Sequence, residues 1–522
     1  MEQTERGHWI RLGGFAFALV VVSLVATWAG LSGGWVGDDW HMVNNYLYSD
    51  WAELGAVFKR NAAYYLFTED KVGPYRPATM LTLLATHLVV PEPWLHHVVS
   101  WLLHAATAFL LFTVLREQSG DAPTRTTDAV AAVLAALFFL HPVHVESYVW
   151  INGRSDLLGG FWLVALAFVL AKPKASSSPR VGPALVVGVV AFLGASSKLP
   201  FVIAAGAVWL AWAVRERLEV RRVYGAAIAL GVGAHLVLRM VFAPFHGQLG
   251  TSGNVLLDTG VWLSLPKLMG KGTEALLTFR AEAMQSLSWT LFGPWSFADW
   301  VGLAVTVFVL LFLARRRDWP SLIYVVGALL TLAPVVVVSR SFWMGFDRYL
   351  YMPSILVLLA VTPYVARAVS RNPSRRLAVG SLAFVALLFA AFMTHGVSKA
   401  YASQEAYDRA LMVDHPADPS IHYYFARDAD RSGDEAGLRE RLSEMPPLPW
   451  PRPIIAPTYE LAAKVSDAPR AHQAIDALVA SKDDGVSCAE IRQQLETWRD
   501  RAPNPSIADA LTAALEDLSC KH

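Results

Sequence analysis

The sequence predicts an all-α polytopic membrane protein with a soluble helical tail. Three observations predict it. The 522-residue chain is 54% hydrophobic and only 17% charged, with a mean hydropathy of +0.38; an ordinary soluble domain is about one-quarter charged. The apolar residues fall mostly in blocks of about 16–22, near the roughly 20 that a helix needs to cross a bilayer. Beyond residue 396 the composition changes abruptly to Asp, Glu, Arg and Ala. Hydrocarbon offers no water to the backbone, so the apolar blocks are expected to be helices, which pair their own peptide groups.

Apolar blocks place spans at 12–31, 94–115, 129–140, 157–171, 181–195, 199–214, 223–242, 298–313, 320–338, 352–366 and 377–396, eleven in all. Leu12 to Ala29 has the look of a signal peptide, but the acidic pair that follows favours an uncleaved first helix. Ala78 to Val90 is apolar but short, and counting it as a span would invert everything after it. The excess of Lys and Arg on the cytoplasmic side decides. With 78–90 as a juxtamembrane helix in a long first outer loop, the cytoplasmic segments hold 18 Lys/Arg in 57 residues, against 11 in 150 outside. This puts the N-terminus in the cytoplasm and the tail, 397–522, outside it. The tail has helical periodicity broken at His415-Pro416-Ala417-Asp418-Pro419 and at Pro446 to Pro453. Such breaks suggest helical hairpins, with tetratricopeptide-like packing as one form and a generic helical domain as the other. Cys488 and Cys520, the two cysteines, are disulfide candidates if the tail lies in an oxidising compartment and otherwise two thiols.

The net charge of +1 gives no sign of a nucleic-acid partner, and no basic stripe with interleaved aromatics or zinc spacing is present. There is no phosphate-binding loop, GxSxG elbow or dinucleotide fingerprint. Span interiors carry almost no acids, against the ion relays of transporters. Chemistry is expected in the outer loops instead. Asp38 and Asp39, in Gly37-Asp38-Asp39-Trp40, stand directly after the first span. Adjacent carboxylates raise one pKa, which suits a base for a hydroxyl; a solvated helix end is the plainer reading. Arg76, in Tyr75-Arg76-Pro77, either binds phosphate or snorkels. The second loop packs His141, His144, Glu146, Arg154 and Asp156 into 16 residues. His141 and His144 are a weak metal pair, because Pro142 spoils a shared helical face, and hydrogen bonds that shape the loop are the stronger reading. Arg348 opens the tenth span; its planar guanidinium suits a lipid-linked phosphate, or it anchors an aromatic belt. Lys198, in the turn between spans five and six, either neutralises phosphate or anchors a helix end.

In order and spacing these motifs resemble the GT-C glycosyltransferases, and among them the transmembrane-and-tetratricopeptide-repeat O-mannosyltransferases. The resemblance runs through most of 35–400. It adds Leu95-His96-His97, Leu103-His104-Ala105, Leu291-Phe292-Gly293-Pro294-Trp295 through Asp299-Trp300, and Asp347-Arg348-Tyr349-Leu350-Tyr351-Met352-Pro353 to the motifs above. It implies a GT-C-like bundle and a polyprenyl-phosphate sugar donor. The implied acceptor is a hydroxyl, often Ser or Thr of an exported protein. Asp38 or Asp39 is then the base in an inverting attack on the anomeric carbon. Arg348, with Arg76, Arg154 or Lys198, stabilises the departing lipid phosphate. Asp156 or Glu146 holds the sugar or completes a site for a divalent metal such as Mg2+ or Mn2+. The chain departs from the family in its tail of about 125 residues, whose repeats are blurred. The alternatives are the same chemistry on a glycan or lipid acceptor, a lipid flippase or transporter, and a non-enzymatic assembly protein. The short loops and compact tail suggest a bacterial inner membrane with a periplasmic tail; an endoplasmic reticulum membrane has the same topology.

Overall fold

A computed structural model describes residues 2–37, 39, 57–58, 75–119, 125–171, 181–242, 259–279, 295–339, 347–371, 374–414, 419–446, 452–481 and 488–518. Every regular element among them is helical. The chain forms two compact units: one of residues 1–284, 294–337 and 345–410, the other of 285–293, 338–344 and 411–522.

In the first unit the helices are α1 (Glu2–Leu31), α2 (Pro77–Val89), α3 (Pro93–Gln118), α4 (Arg125–Leu140), α5 (Val145–Val149), α6 (Arg154–Ala171), α7 (Val181–Ser197), α8 (Phe201–Ala213), α9 (Leu218–Phe242), α10 (Thr259–Thr278), α11 (Phe297–Arg316), α12 (Trp319–Ser339), α13 (Tyr351–Arg371), α14 (Ser374–Ala400) and the first part of α15 (Gln404–Asp414). Short 3-10 turns at Pro142–His144, Ile151–Gly153 and Asp347–Leu350 precede α5, α6 and α13. A described helix underlies each of the eleven apolar blocks. Seven are long and apolar enough to cross a membrane, or eight if α4 and the bent segment Pro142–Val149 count as one. α7, α8 and the Trp319–Val335 stretch of α12 are shorter apolar helices. α2 is also short: its 13 residues rise about 20 Å, against hydrocarbon about 30 Å thick.

The inner layer is α3, α4, α6 and α13, which pack on one another. In α6 and α13 about two-thirds and just over half of the membrane-length window is buried, against 17% in α1 and 11% in α14. Phe17, Val25 and Trp28 on α1 and Leu382, Phe384 and Phe392 on α14 stay exposed. Apolar side chains on a lone outer face suit lipid, not water. α1 and α14 are joined through polar contacts in return: Ser398 Oγ donates to Thr27 O at 3.0 Å and accepts from Gly30 N at 3.0 Å. α10 lies in a stretch expected as loop. Its Pro266, Lys267, Lys271 and Glu274 break the apolar run, yet it packs along α11.

The second unit is built from α16 (Pro419–Ser432), α17 (Glu435–Glu444), α18 (Arg452–Lys464), α19 (Ala468–Ala480), α20 (Cys488–Arg499) and α21 (Pro505–Asp517). They pair as α16 with α17, α18 with α19 and α20 with α21. The first two pairs are joined by the same turn. Gly433 and Ser466 take φ +76 and +54. The next residues, Asp434 and Asp467, donate back to Ala429 O and Ala462 O at 2.9 and 2.8 Å, closing the preceding helix in the manner of a Schellman motif. Each Asp then caps the following helix, Asp434 accepting from Gly437 N and Asp467 from Arg470 N. The two caps stand 33 residues apart. One apolar core, including Leu438, Leu442, Tyr459, Ile475, Leu495, Trp498 and Leu511, runs through the unit.

Candidate functional site

The turn after α1 is the first part of the site. Gly37 takes φ +58, a conformation that glycine accepts without a Cβ penalty. It lets the chain fold back so that Asp39 N donates to Val36 O at 3.2 Å. Asp38 lies outside the described residues. Asp39 is fully buried, and its carboxylate accepts from Asn152 N at 2.8 Å, Ile151 N at 3.3 Å and Val36 N at 3.4 Å. The start of the 3-10 turn at Ile151 has N–H groups with no partner inside the turn. A carboxylate from 112 residues upstream supplies one, in the role of an N-cap. Asp39 therefore ties the first loop to the second.

The second part is a chain of polar contacts across the starts of α2, α6 and α13. Partly exposed Arg76 donates to Ser155 Oγ at 3.1 Å, and Ser155 Oγ donates to Asp156 Oδ2 at 3.4 Å. Asp156 also holds Lys198 in a short buried ion pair, and the Lys198 ammonium sits 4.4 Å from the Tyr349 ring centre. Burial pushes Lys198 well below the usual lysine range, Asp156 opposes this, and the nearby Arg76 and Arg348 cations add to it. Arg348 is buried and lies 4.5 Å from the Trp150 ring centre. Its backbone N–H donates to Glu146 Oε2 at 3.1 Å, its Nε is 3.8 Å from Glu146 Oε1, and its guanidinium donates to Tyr349 OH at 3.3 Å. Among the described residues, three cations here face the two carboxylates Asp156 and Glu146. Such a group of cations suits an anion, and Arg76 is partly exposed.

Three expected members, Arg154, His141 and His144, do not join this cluster. Arg154 is fully buried and directed into α2 and α3: it donates to Ser100 Oγ (3.2 Å), Thr86 Oγ1 (3.0 Å), Thr82 O (3.3 Å) and His96 O (2.7 Å). With its donors met by protein, it braces the bundle and is not placed as a phosphate ligand. His141 uses both ring nitrogens, accepting from Val143 N at 3.3 Å and donating to Leu276 O at 3.1 Å. Both ring nitrogens are thus engaged by protein, and His141 links α10 to the second loop. His144 contacts Ser354 Oγ at 3.3 Å. Among the described residues no three His, Cys, Asp or Glu side chains converge to hold a metal ion.

Trp150, Ser155, Tyr349 and Gln404 belong to the site and carry no signal in isolation. Trp150 is fully buried and its indole N–H donates to Val36 O at 3.1 Å. Gln404, at the start of α15, accepts from Gly37 N at 2.7 Å.

Fold and site define an all-α integral membrane protein with a buried cation cluster beside an acidic turn. Over about a third of its length the chain is similar to protein O-mannosyl-transferases. It is 26% identical to Protein O-mannosyl-transferase TMTC3 of Mus musculus over 182 residues, 34% of this chain and 19% of that protein. It is 31% identical to Protein O-mannosyl-transferase TMTC1 of Homo sapiens over 180 residues, 32% and 18% respectively. With Protein O-mannosyl-transferase Tmtc3 of Drosophila melanogaster the match is 30% over 122 residues, 20% and 13%. The matched stretch thus spans less than a fifth of each relative's own length. No family model matches the chain.

Proposed function

We propose that the chain is a GT-C-type membrane glycosyltransferase. It moves one sugar, with mannose the first candidate, from a polyprenyl phosphate to a hydroxyl outside the cytoplasm, and Ser or Thr of an exported protein is the first acceptor to test. The observation that carries the reading is the convergence of Arg76, Lys198 and Arg348 around Asp156 and Tyr349, beside the acidic turn. The similarity to proteins named as O-mannosyl-transferases points the same way.

In this scheme Asp38 is the base. Its neighbour Asp39 already accepts from three backbone N–H groups, which commits both carboxylate oxygens to holding the two loops together. The acceptor oxygen loses its proton to Asp38 and forms a bond to the anomeric carbon. The bond from that carbon to the phosphate oxygen breaks on the opposite face, so the configuration inverts. The electron pair leaves with the lipid phosphate, whose added charge the three cations stabilise where it develops. Asp156 and Glu146 hold the cations in place and present carboxylate oxygens to the sugar. The proposed topology has eleven spans, a cytoplasmic N-terminus, α2 at the membrane surface and a tetratricopeptide-like tail outside, in a bacterial inner membrane. The repeated turn at Asp434 and Asp467, 33 residues apart, supports that form of tail, whose repeat is about 34 residues.

Donor retention tests the reading. Purified protein in nanodiscs should hold radiolabelled polyprenyl-phosphate mannose, and Arg348→Ala should hold it about tenfold more weakly. Equal retention by the variant would remove Arg348 from the phosphate site.

A further inference from the structure

We propose that Trp150 is a positioning residue that sets the acidic turn against the phosphate-binding cation. Its indole contacts both. The edge N–H donates to Val36 O at 3.1 Å, and Arg348 Cζ lies 4.5 Å from the ring centre. The ring is fully buried, and an indole has only two side-chain torsions, so fixing the ring fixes both neighbours at little entropic cost. The surroundings leave the turn little freedom to drift. A Cβ added at Gly37 would lie 3.8 Å from Trp150 Nε1 and 3.7 Å from the Tyr407 ring, so the glycine is packed between two aromatic side chains. Gln404 also accepts from Gly37 N at 2.7 Å. The residues directly after Trp150 add two more ties, Ile151 N and Asn152 N to the Asp39 carboxylate. Glu146 in turn fixes Arg348 from its backbone and its guanidinium.

The two contacts use different properties of one side chain. The hydrogen bond needs the indole N–H, and the cation needs only an electron-rich face. They can be separated. Trp150→Phe keeps a face and loses the donor. Trp150→Leu loses both. The assignment of kinetic roles to the two ends rests on the proposed transferase reading, but the mechanical tie does not.

The test combines amide hydrogen exchange, without any substrate, and steady-state transfer. Trp150→Phe should speed exchange at Gly37 and Asp39 while leaving the amides of α3 and α6 unchanged. It should lower kcat by about tenfold to a hundredfold, the scale of loss for misplacement by about 1 Å, with the donor KM within about twofold of the wild type. Trp150→Leu should lower kcat and also raise the donor KM. If Trp150→Phe unfolds, benzothienylalanine at position 150, which puts sulfur in place of the N–H in the same shape, must give the same exchange and kcat pattern. Wild-type exchange at Gly37 and Asp39 in these variants, or a loss of kcat and KM common to all of them, would overturn the proposal. A wild-type protein that transfers no sugar would overturn the transferase reading instead, and the exchange data would still decide the tie.

Discussion

Asp39 and Lys198 show how residue chemistry is set by what surrounds a side chain. The buried Asp39 carboxylate serves as a structural acceptor for Val36, Ile151 and Asn152. In Asp39→Asn one oxygen becomes an NH2 that faces backbone donors, and hydrogen bonds to charged groups are worth about 1.5–3 kcal/mol. The variant should therefore show a lower melting temperature in detergent, whereas Asp38→Asn should extract and melt like wild type. An unchanged Asp39→Asn would mean the carboxylate does not carry those bonds. Lys198 titrates at lower pH than ordinary lysine because it is buried, with Asp156 acting in the other direction. Its charged form exists below its folded pKa and is lost as pH rises through it. Donor retention should thus weaken with rising pH before the ordinary lysine range near 10.4 is reached. Lys198→Arg, which stays charged, should flatten that dependence; a profile identical to wild type would take Lys198 out of the phosphate site. Arg76, Lys198, Asp156 and Arg348 were all legible as residue types at loop positions. Trp150 and Gln404 were not, because their partners are 114 and 367 residues away in sequence and neither type signals a site by itself.

At the scale of elements, periodicity and length marked the apolar helices well, since a membrane helix carries its signal in an unbroken run. α10 escaped this reading because charged residues and Pro266 divide its apolar face. The repeated turn in the tail escaped it too: Gly433-Asp434 and Ser466-Asp467 share only the aspartate, while the backbone hydrogen bonds match. Eleven spans predict that a reporter fused after Arg317 reads inside and one after Lys399 reads outside; the reverse would invert the membrane orientation. For the tail we propose a Cys488–Cys520 bridge. Cys488 is not a free thiol, and Cys520 lies outside the described residues. Closing that loop of about 33 residues should stabilise the tail by about 4 kcal/mol on chain-entropy grounds. Maleimide should label the folded protein only after reduction, and labelling without reductant would argue against the bridge.

For the whole molecule, α3, α4, α6 and α13 pack as the inner layer, and the cation cluster forms where the starts of α2, α6 and α13 meet. Arg154, one of the cations the family resemblance offers for the phosphate, directs its donors into α2 and α3 and braces them against α6. Charge type and loop position identify candidates, but only packing separates those that face a ligand from those that face protein. The proposed reaction is sugar transfer from a polyprenyl phosphate. The most direct measurement uses purified protein with radiolabelled polyprenyl-phosphate mannose and a Ser/Thr-rich acceptor extract, wild type beside Asp38→Asn. Label should move to the acceptor with wild type and stay on the lipid with the variant. Equal transfer by both would contradict the assigned base, and donor that is retained but never consumed by wild type would contradict the transferase itself.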